Sequence, residues 1–121
     1  MHVLIVESNF DLGDLWARHL SREGCEVTHV GTADEAINVL RSCEVSVIVM
    51  DVILEEGSAL AVSDFASYRQ PQAKVVFVTN TTFFSDGSIF RHAPNACAFL
   101  RAATPVEDLT AVVEHYGARA V

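Results

Sequence analysis

The stretch that most constrains the fold of this chain runs from Val45 to Asp51 (VSVIVMD). Five of its first six residues are apolar, and three of them are valine. A short apolar run rich in β-branched residues predicts a strand buried on both faces, as at the centre of a parallel sheet. In open parallel sheets ligands bind just beyond the carboxyl ends of the strands, which is where Asp51 stands. The position alone leaves two interpretations open, a functional carboxylate or a plain strand cap.

Four further strand-like runs alternate with helix-like stretches. The runs are His2–Glu7, Glu26–Val30, Lys74–Thr79 and Ala96–Arg101. Helices are predicted over Phe10–Arg22, from the capping box at Thr32 to about Ser42, from Ser58 to Arg69, and from Pro105 to Gly117. The segment from Asn80 onward is less clearly patterned, with a short helix expected to end near Pro94.

This alternation predicts one domain covering residues 1–121. Strands that alternate with helices form a parallel sheet with helices on both faces, so the expected fold class is α/β. Five such units predict a doubly wound five-stranded parallel sheet, the flavodoxin-like (βα)5 arrangement.

The charge balance limits the functions that are open to this domain. Eight basic residues stand against 16 acidic ones, a net charge of −8. A polyanion needs a basic face, so binding of nucleic acid by this domain is not expected. The sequence contains no apolar run of the roughly 18 residues that cross a membrane, so no membrane contact and a cytoplasmic location are predicted.

The order and spacing of these features resemble the receiver domain of two-component response regulators, from one end of the chain to the other. The resemblance implies that Asp51 is the phosphoacceptor. It implies a metal site made by Glu7, Asp51 and the backbone carbonyl of Ile53, with Mg²⁺ as the cofactor. Thr79 and Phe99 match the hydroxyl and the aromatic residue that switch conformation in that family. The implied fold is the (βα)5 receiver fold.

Two departures from the family pattern weaken this site. Ser8 stands where the family has a second acidic metal ligand, and Ala102 stands at the vacated lysine position. The single lysine of the chain, Lys74, begins a strand instead of following one. Arg101 is the nearest cation, but successive strand side chains point to opposite faces, so it should face away from the position of Ala102. Magnesium binding is therefore expected to be weak.

We interpret the chain as an atypical receiver domain in phosphorelay-type signal transduction that acts mainly as a protein-interaction module and is not an enzyme. The first alternative is a weak but genuine phosphoacceptor at Asp51, a phosphoprotein regulated by a histidine kinase. An alternative of another class is a small cofactor-binding or enzymatic flavodoxin-like domain. Against that class, the turn after the first strand (ESNFDLG) lacks a glycine- or hydroxyl-rich phosphate loop.

The expected partner is a histidine kinase or another signalling protein. The resemblance also indicates homodimerisation through the face formed by the fourth helix, fifth strand and last helix. That face comprises about Phe84–Ala93, Ala96–Arg101 and Pro105–Tyr116. Several apolar side chains lie in its first part or directly before it, and they indicate either a contact patch or core packing: Phe83, Phe84, Ile89 and Phe90.

Overall fold

Five strands and four helices make up the part of the chain that the structure describes, residues 1–79 and 93–118 of a computed structural model. In chain order they are β1 (His2–Val6), α1 (Phe10–Arg22), β2 (Glu26–Val30), α2 (Ala33–Ser42), β3 (Val47–Asp51), α3 (Ala59–Arg69), β4 (Lys74–Thr79), β5 (Ala96–Arg101) and α4 (Val106–Ala118). The short helix expected near Pro94, and with it Phe83, Phe84, Ile89 and Phe90, falls outside the described residues.

All five strands are parallel and form one sheet in the order β2-β1-β3-β4-β5. This confirms the predicted doubly wound α/β sheet with β3 at its centre. The chain leaves β1 toward β2 on one side and later returns to β3 on the other, so the strand order reverses between β1 and β3. Their register pairs Val6 with Met50, which brings the next residues, Glu7 and Asp51, to the same sheet edge.

The sheet is buried on both faces, because successive side chains of each strand enter different apolar layers. One layer lies under α2 and α3 and includes Leu4, Val6, Ile48, Met50, Val75, Phe77, Leu40 and Val62. The other lies under α1 and α4 and includes Val3, Ile5, Val47, Val49, Val76, Val78, Trp16 and Leu109. The central strands have to be apolar throughout for this reason.

Three predicted helix caps are present. The side chains of Asn9, Thr32 and Ser58 accept hydrogen bonds from the first-turn N–H groups of α1, α2 and α3. The last helix begins at Val106, one residue after the predicted start at Pro105. None of the helices in residues 1–79 and 93–118 is long and apolar enough to cross a membrane.

The central strand begins two residues later than predicted, because its predicted first residue is held by a side chain. The N–H of Val45 donates to Oε1 of Gln70 at 2.8 Å. The Gln70 amide nitrogen donates in turn to the carbonyls of Leu40 and Cys43, at 2.8 and 2.6 Å. This buried amide joins the end of α3 to the segment between α2 and β3, a contact that the apolar pattern does not reveal.

Candidate functional site

Two carboxyl groups meet at the sheet edge where the strand order reverses. Asp51 is the last residue of β3, and Glu7 follows the last residue of β1 directly. Asp51 is half-buried, and its Oδ1 accepts a hydrogen bond from the N–H of Ile53 at 2.9 Å. The sheet therefore brings together the two acidic residues that the sequence analysis selected.

Glu7 is the buried member of this pair, with 3% of its surface exposed. Its Oε2 accepts a hydrogen bond from the N–H of Asn9 at 3.0 Å, while Oε1 is buried without a hydrogen-bond partner among the described residues. Burial raises the pKa of Glu7 to about 7, and the neighbouring Asp51 carboxylate adds to that rise, whereas the Asn9 N–H opposes it. The Glu7 carboxyl therefore keeps its proton to a higher pH than an ordinary glutamate does.

The hydroxyl of Ser8 is engaged on both sides. It donates to the carbonyl of Gly31 at 2.9 Å and accepts from the N–H of Glu55 at 3.0 Å. One hydroxyl therefore joins the loops that follow β1, β2 and β3. Because a hydroxyl carries one proton and two lone pairs, only one lone pair is left for any other contact.

The remaining predicted residues lie at the ends of β4 and β5. Thr79 is buried, with 2% of its surface exposed, and its carbonyl accepts a hydrogen bond from the N–H of Ala102 at 2.7 Å. Phe99 is half-buried beside Phe77 and packs on the layer under α2 and α3, whereas Ala102 packs on the layer under α1 and α4. Arg101 is exposed. Phe99 and Ala102 therefore lie on opposite sides of the sheet.

The lysine of the chain lies at the wrong end of the sheet to reach the carboxyl pair. Lys74 is the first residue of β4 and Thr79 the last. At about 3.3 Å per residue, roughly 17 Å of strand separates the two Cα positions. Lys74 is therefore remote from the carboxyl pair. Arg101, the last residue of β5, is exposed.

The carboxyl pair fits a magnesium ion that keeps most of its water. Magnesium is commonly held by one or two carboxylates plus waters, and the buried Glu7 Oε1 has no hydrogen-bond partner among the residues that the structure describes. Glu7, Asp51 and the Ile53 carbonyl are the groups that would hold it. Ser8 would contribute no charge, and the structure shows no group of three or more acidic, histidine or cysteine side chains arranged for a metal in the described ranges.

Sequence reasoning missed a second set of side chains next to Glu7. His29 donates from Nε2 to the Glu7 carbonyl at 3.1 Å, and its ring stacks on Phe10 with 5.6 Å between centroids. Gly13 faces this imidazole so closely that a Cβ there would overlap it. The glycine inside a helical pattern was the available signal, because such a residue often marks a close approach by another group.

No protein-family model matches the chain, and no curated protein matches it. Solved structures do. A response regulator receiver domain protein (CheY-like) from Methanospirillum hungatei is 20% identical, with 98% of this chain and 94% of that chain covered and a TM-score of 0.90.

Two other similar structures contain ligands. The response regulator TrrA from Thermotoga maritima, in complex with Mg(2+)-BeF, is 17% identical over 95% of this chain and 97% of that chain, with a TM-score of 0.83. A response regulator from Burkholderia pseudomallei with a phosphorylated aspartic acid and a calcium ion is 21% identical over 98% and 69%, with a TM-score of 0.83. This chain therefore has the fold of response regulator receiver domains.

Proposed function

We propose that this chain is an atypical receiver domain that works as a protein-interaction module in signal transduction, with a degenerate phosphorylation pocket and no enzymatic role. The observation that carries the proposal is the state of Ser8. A hydroxyl bonded to Gly31 and Glu55 occupies the place where the resemblance requires a metal-binding carboxylate. The same hydroxyl holds three loops together, which is a structural role.

The chemistry of phosphoryl transfer explains why this change matters. An aspartyl phosphate forms when a carboxylate attacks a phosphoryl group in line, and the protein contributes positioning and neutralisation of charge. A bound magnesium ion supplies part of that neutralisation. Loss of one preorganised electrostatic group typically costs about 10²–10³ in rate, and both Ser8 and Ala102 are such losses. Asp51 would therefore accept a phosphoryl group slowly.

The weak-phosphoacceptor alternative has its own supporting observation. Asp51 is half-buried at the sheet edge, and its carboxyl group is oriented there by the hydrogen bond from the Ile53 N–H to Oδ1. Thr79 and Phe99 remain at the ends of β4 and β5, as the switch of a working receiver would need. A histidine kinase would be the phosphoryl donor in this alternative, and Mg²⁺ the cofactor.

Beryllofluoride with magnesium distinguishes the two functions, because it mimics the phosphoryl group on an acceptor aspartate. We expect the amide spectrum of the wild type to stay unchanged around Thr79 and Phe99 at millimolar magnesium. The Ser8→Asp/Ala102→Lys variant should respond, since it regains a carboxylate and a cation. Adding Asp51→Asn to that variant should abolish the response and so serves as the matched control. A wild type that responds as strongly as the restored variant would establish the phosphoacceptor function instead.

The interaction role predicts that Asp51 does not control assembly. Asp51→Ala and Asp51→Asn should leave the oligomeric state and partner affinity within about threefold, which is less than 1 kcal/mol. Sedimentation of the wild type and both variants measures this directly. Loss of the interaction in either variant would show that Asp51, and with it phosphorylation, controls assembly.

A further inference from the structure

A cleft of about 240 Å³ opens beside the carboxyl pair, between the carboxyl ends of β1 and β2 and the first turns of α1 and α2. Glu7, Phe10, His29, Gly31 and Glu35 all contribute to its wall. Asp51 does not line it.

Two glutamates line this cleft. Glu7 is 97% buried, so it closes the wall of the cleft and leaves Glu35 as the accessible carboxylate. Glu35 is exposed, and its Oε1 accepts from the N–H of Gly31 and the hydroxyl of Thr32, at 3.2 and 3.1 Å. These bonds use one Glu35 oxygen and orient the carboxylate, so that Oε2 is available to a ligand.

An aromatic surface forms another wall. Phe10 is 69% exposed although it is the first residue of a helix that packs on the core. Its ring stacks on His29 at an interplanar angle of 29°, and the His29 bond to the Glu7 carbonyl fixes that pair in place. A flat cation is attracted to the face of an aromatic ring, more strongly when water is partly excluded.

The same cleft does not suit an anion, although two helices begin at its edge. Helix N-termini attract anions through free N–H groups. Here the Leu12 N–H is taken by Asn9, the Glu35 N–H by Thr32, and the Gly31 N–H by the Glu35 carboxylate. The wall therefore offers the Glu35 carboxylate and no free N–H of these three, in a chain whose net charge is −8.

We propose that this cleft binds the guanidinium group of an arginine side chain from a partner protein. Arginine can pair with a carboxylate and stack on an aromatic ring at once, which a lysine ammonium does less well. At about 240 Å³ the cleft is smaller than the roughly 300–1,000 Å³ of pockets for drug-sized ligands, so it fits one side chain. The inference rests on the proposed interaction role and names the chemistry of the partner.

The exposure of Phe10 favours a protein as the source of that arginine. The ring is 69% exposed on the cleft wall, so the backbone and neighbouring residues of a partner protein would cover it. A free guanidinium group would stack on one face of the ring and leave the rest exposed.

Titration with short peptides, followed by amide and aromatic NMR shifts, tests the proposal. The probe is the capped tripeptide Gly-Arg-Gly, and the matched control replaces arginine with citrulline, which is similar in shape but neutral. We expect saturable shifts at Ser8, Phe10 and Gly31, and binding of the citrulline peptide at least about tenfold weaker. Equal shifts for both peptides, or none, would overturn the proposal.

Variants locate the binding. Phe10→Leu removes the aromatic face, and Glu35→Gln removes the charge while its amide oxygen can still accept from Gly31. Each should weaken binding of the arginine peptide by at least about threefold. Leu15→Ala, on the same helix but outside the cleft, should leave binding unchanged. If Phe10→Leu and Glu35→Gln bind as well as the wild type, the peptide binds elsewhere and the assignment is wrong.

A parallel titration with free argininamide distinguishes the source of the cation. We expect argininamide to bind no more tightly than the tripeptide. Binding about tenfold tighter would identify a small-molecule site and overturn the partner assignment. These outcomes are independent of the beryllofluoride test, because a silent tripeptide titration rejects the cleft proposal alone and a beryllofluoride response rejects the proposed function alone.

Discussion

The hydroxyl oxygen of Ser8 accepts a hydrogen bond from the backbone N–H of Glu55 at 3.0 Å, which joins the loop after β1 to the loop after β3. The same hydroxyl donates to Gly31 in the loop after β2. A carboxylate in its place could accept from Glu55 but could not donate to Gly31. Ser8 therefore holds the loops of the pocket together, and an aspartate in its place would keep only one of the two bonds.

The first prediction concerns magnesium. We expect wild-type affinity no tighter than the millimolar range, a binding free energy of about −4 kcal/mol or weaker. Ser8→Asp should improve it at least about tenfold, because it adds a charged ligand beside Glu7 and Asp51. Calorimetric titration of both proteins measures the difference, with Ser8→Ala as the uncharged control. Micromolar affinity in the wild type would contradict the degenerate pocket.

The second prediction follows from the raised pKa of Glu7. A carboxyl whose pKa is about 7 in the folded chain, against an ordinary value of 4.5, binds protons more tightly in the native state. Its contribution to the free energy of unfolding is therefore complete below about pH 4.5 and is lost as the pH rises through 7. We expect the free energy of unfolding of the wild type to fall by about 2 kcal/mol over this range through Glu7. This is less than the full pKa shift would give, because solvent at the open side of the pocket screens the charge.

Glu7→Gln should remove most of that pH dependence, because the amide stays neutral and can still accept from the Asn9 N–H. The variant should be more stable than the wild type at pH 8 and close to it at pH 5. Urea unfolding at the two pH values gives the comparison, with Glu44→Gln, an exposed carboxylate, as the control that leaves the slope unchanged. Parallel pH profiles for the wild type and Glu7→Gln would show that Glu7 titrates normally.

The third prediction concerns the contact between Gly13 and His29. Alanine is usually better than glycine in a helix by about 1 kcal/mol, so Gly13→Ala would stabilise α1 in isolation. Here the new methyl group would overlap the His29 ring, and we expect a net loss of about 1–2 kcal/mol instead. On a His29→Ala background the same substitution should become neutral or stabilising. A destabilisation that persists without the imidazole would place the strain elsewhere.

The fourth prediction concerns the buried amide of Gln70. Gln70→Ala leaves the Val45 N–H and two carbonyls without their partner, and should cost about 2–3 kcal/mol in the free energy of unfolding. Gln72, two residues along and exposed, provides the matched control, and Gln72→Ala should change stability by less than about 0.5 kcal/mol. Thermal or urea unfolding of the wild type and the two variants measures the difference. Equal effects would mean that the network contributes little.

The sequence by itself determined the architecture. Continuous apolar runs such as Val47–Met50 require burial on both faces, and helical stretches with Asn9, Thr32 and Ser58 as caps supply the covering layers. Because parallel strands end at one sheet edge, the same reasoning brought Glu7 and Asp51 together. The departures from the receiver pattern at Ser8 and Ala102 rest on residue identities alone and stay a prediction.

Tertiary structure alone decided what those residues touch. The two bonds of Ser8 and the contact between Phe10 and His29 join segments that are distant in sequence, and the burial of Glu7 depends on how such segments pack. Periodicity reports which face of an element is apolar, but it does not report which loop packs beside which. The cleft next to Glu7 arises only where the first turns of two helices and the ends of two strands meet in space, because none of these segments forms it alone.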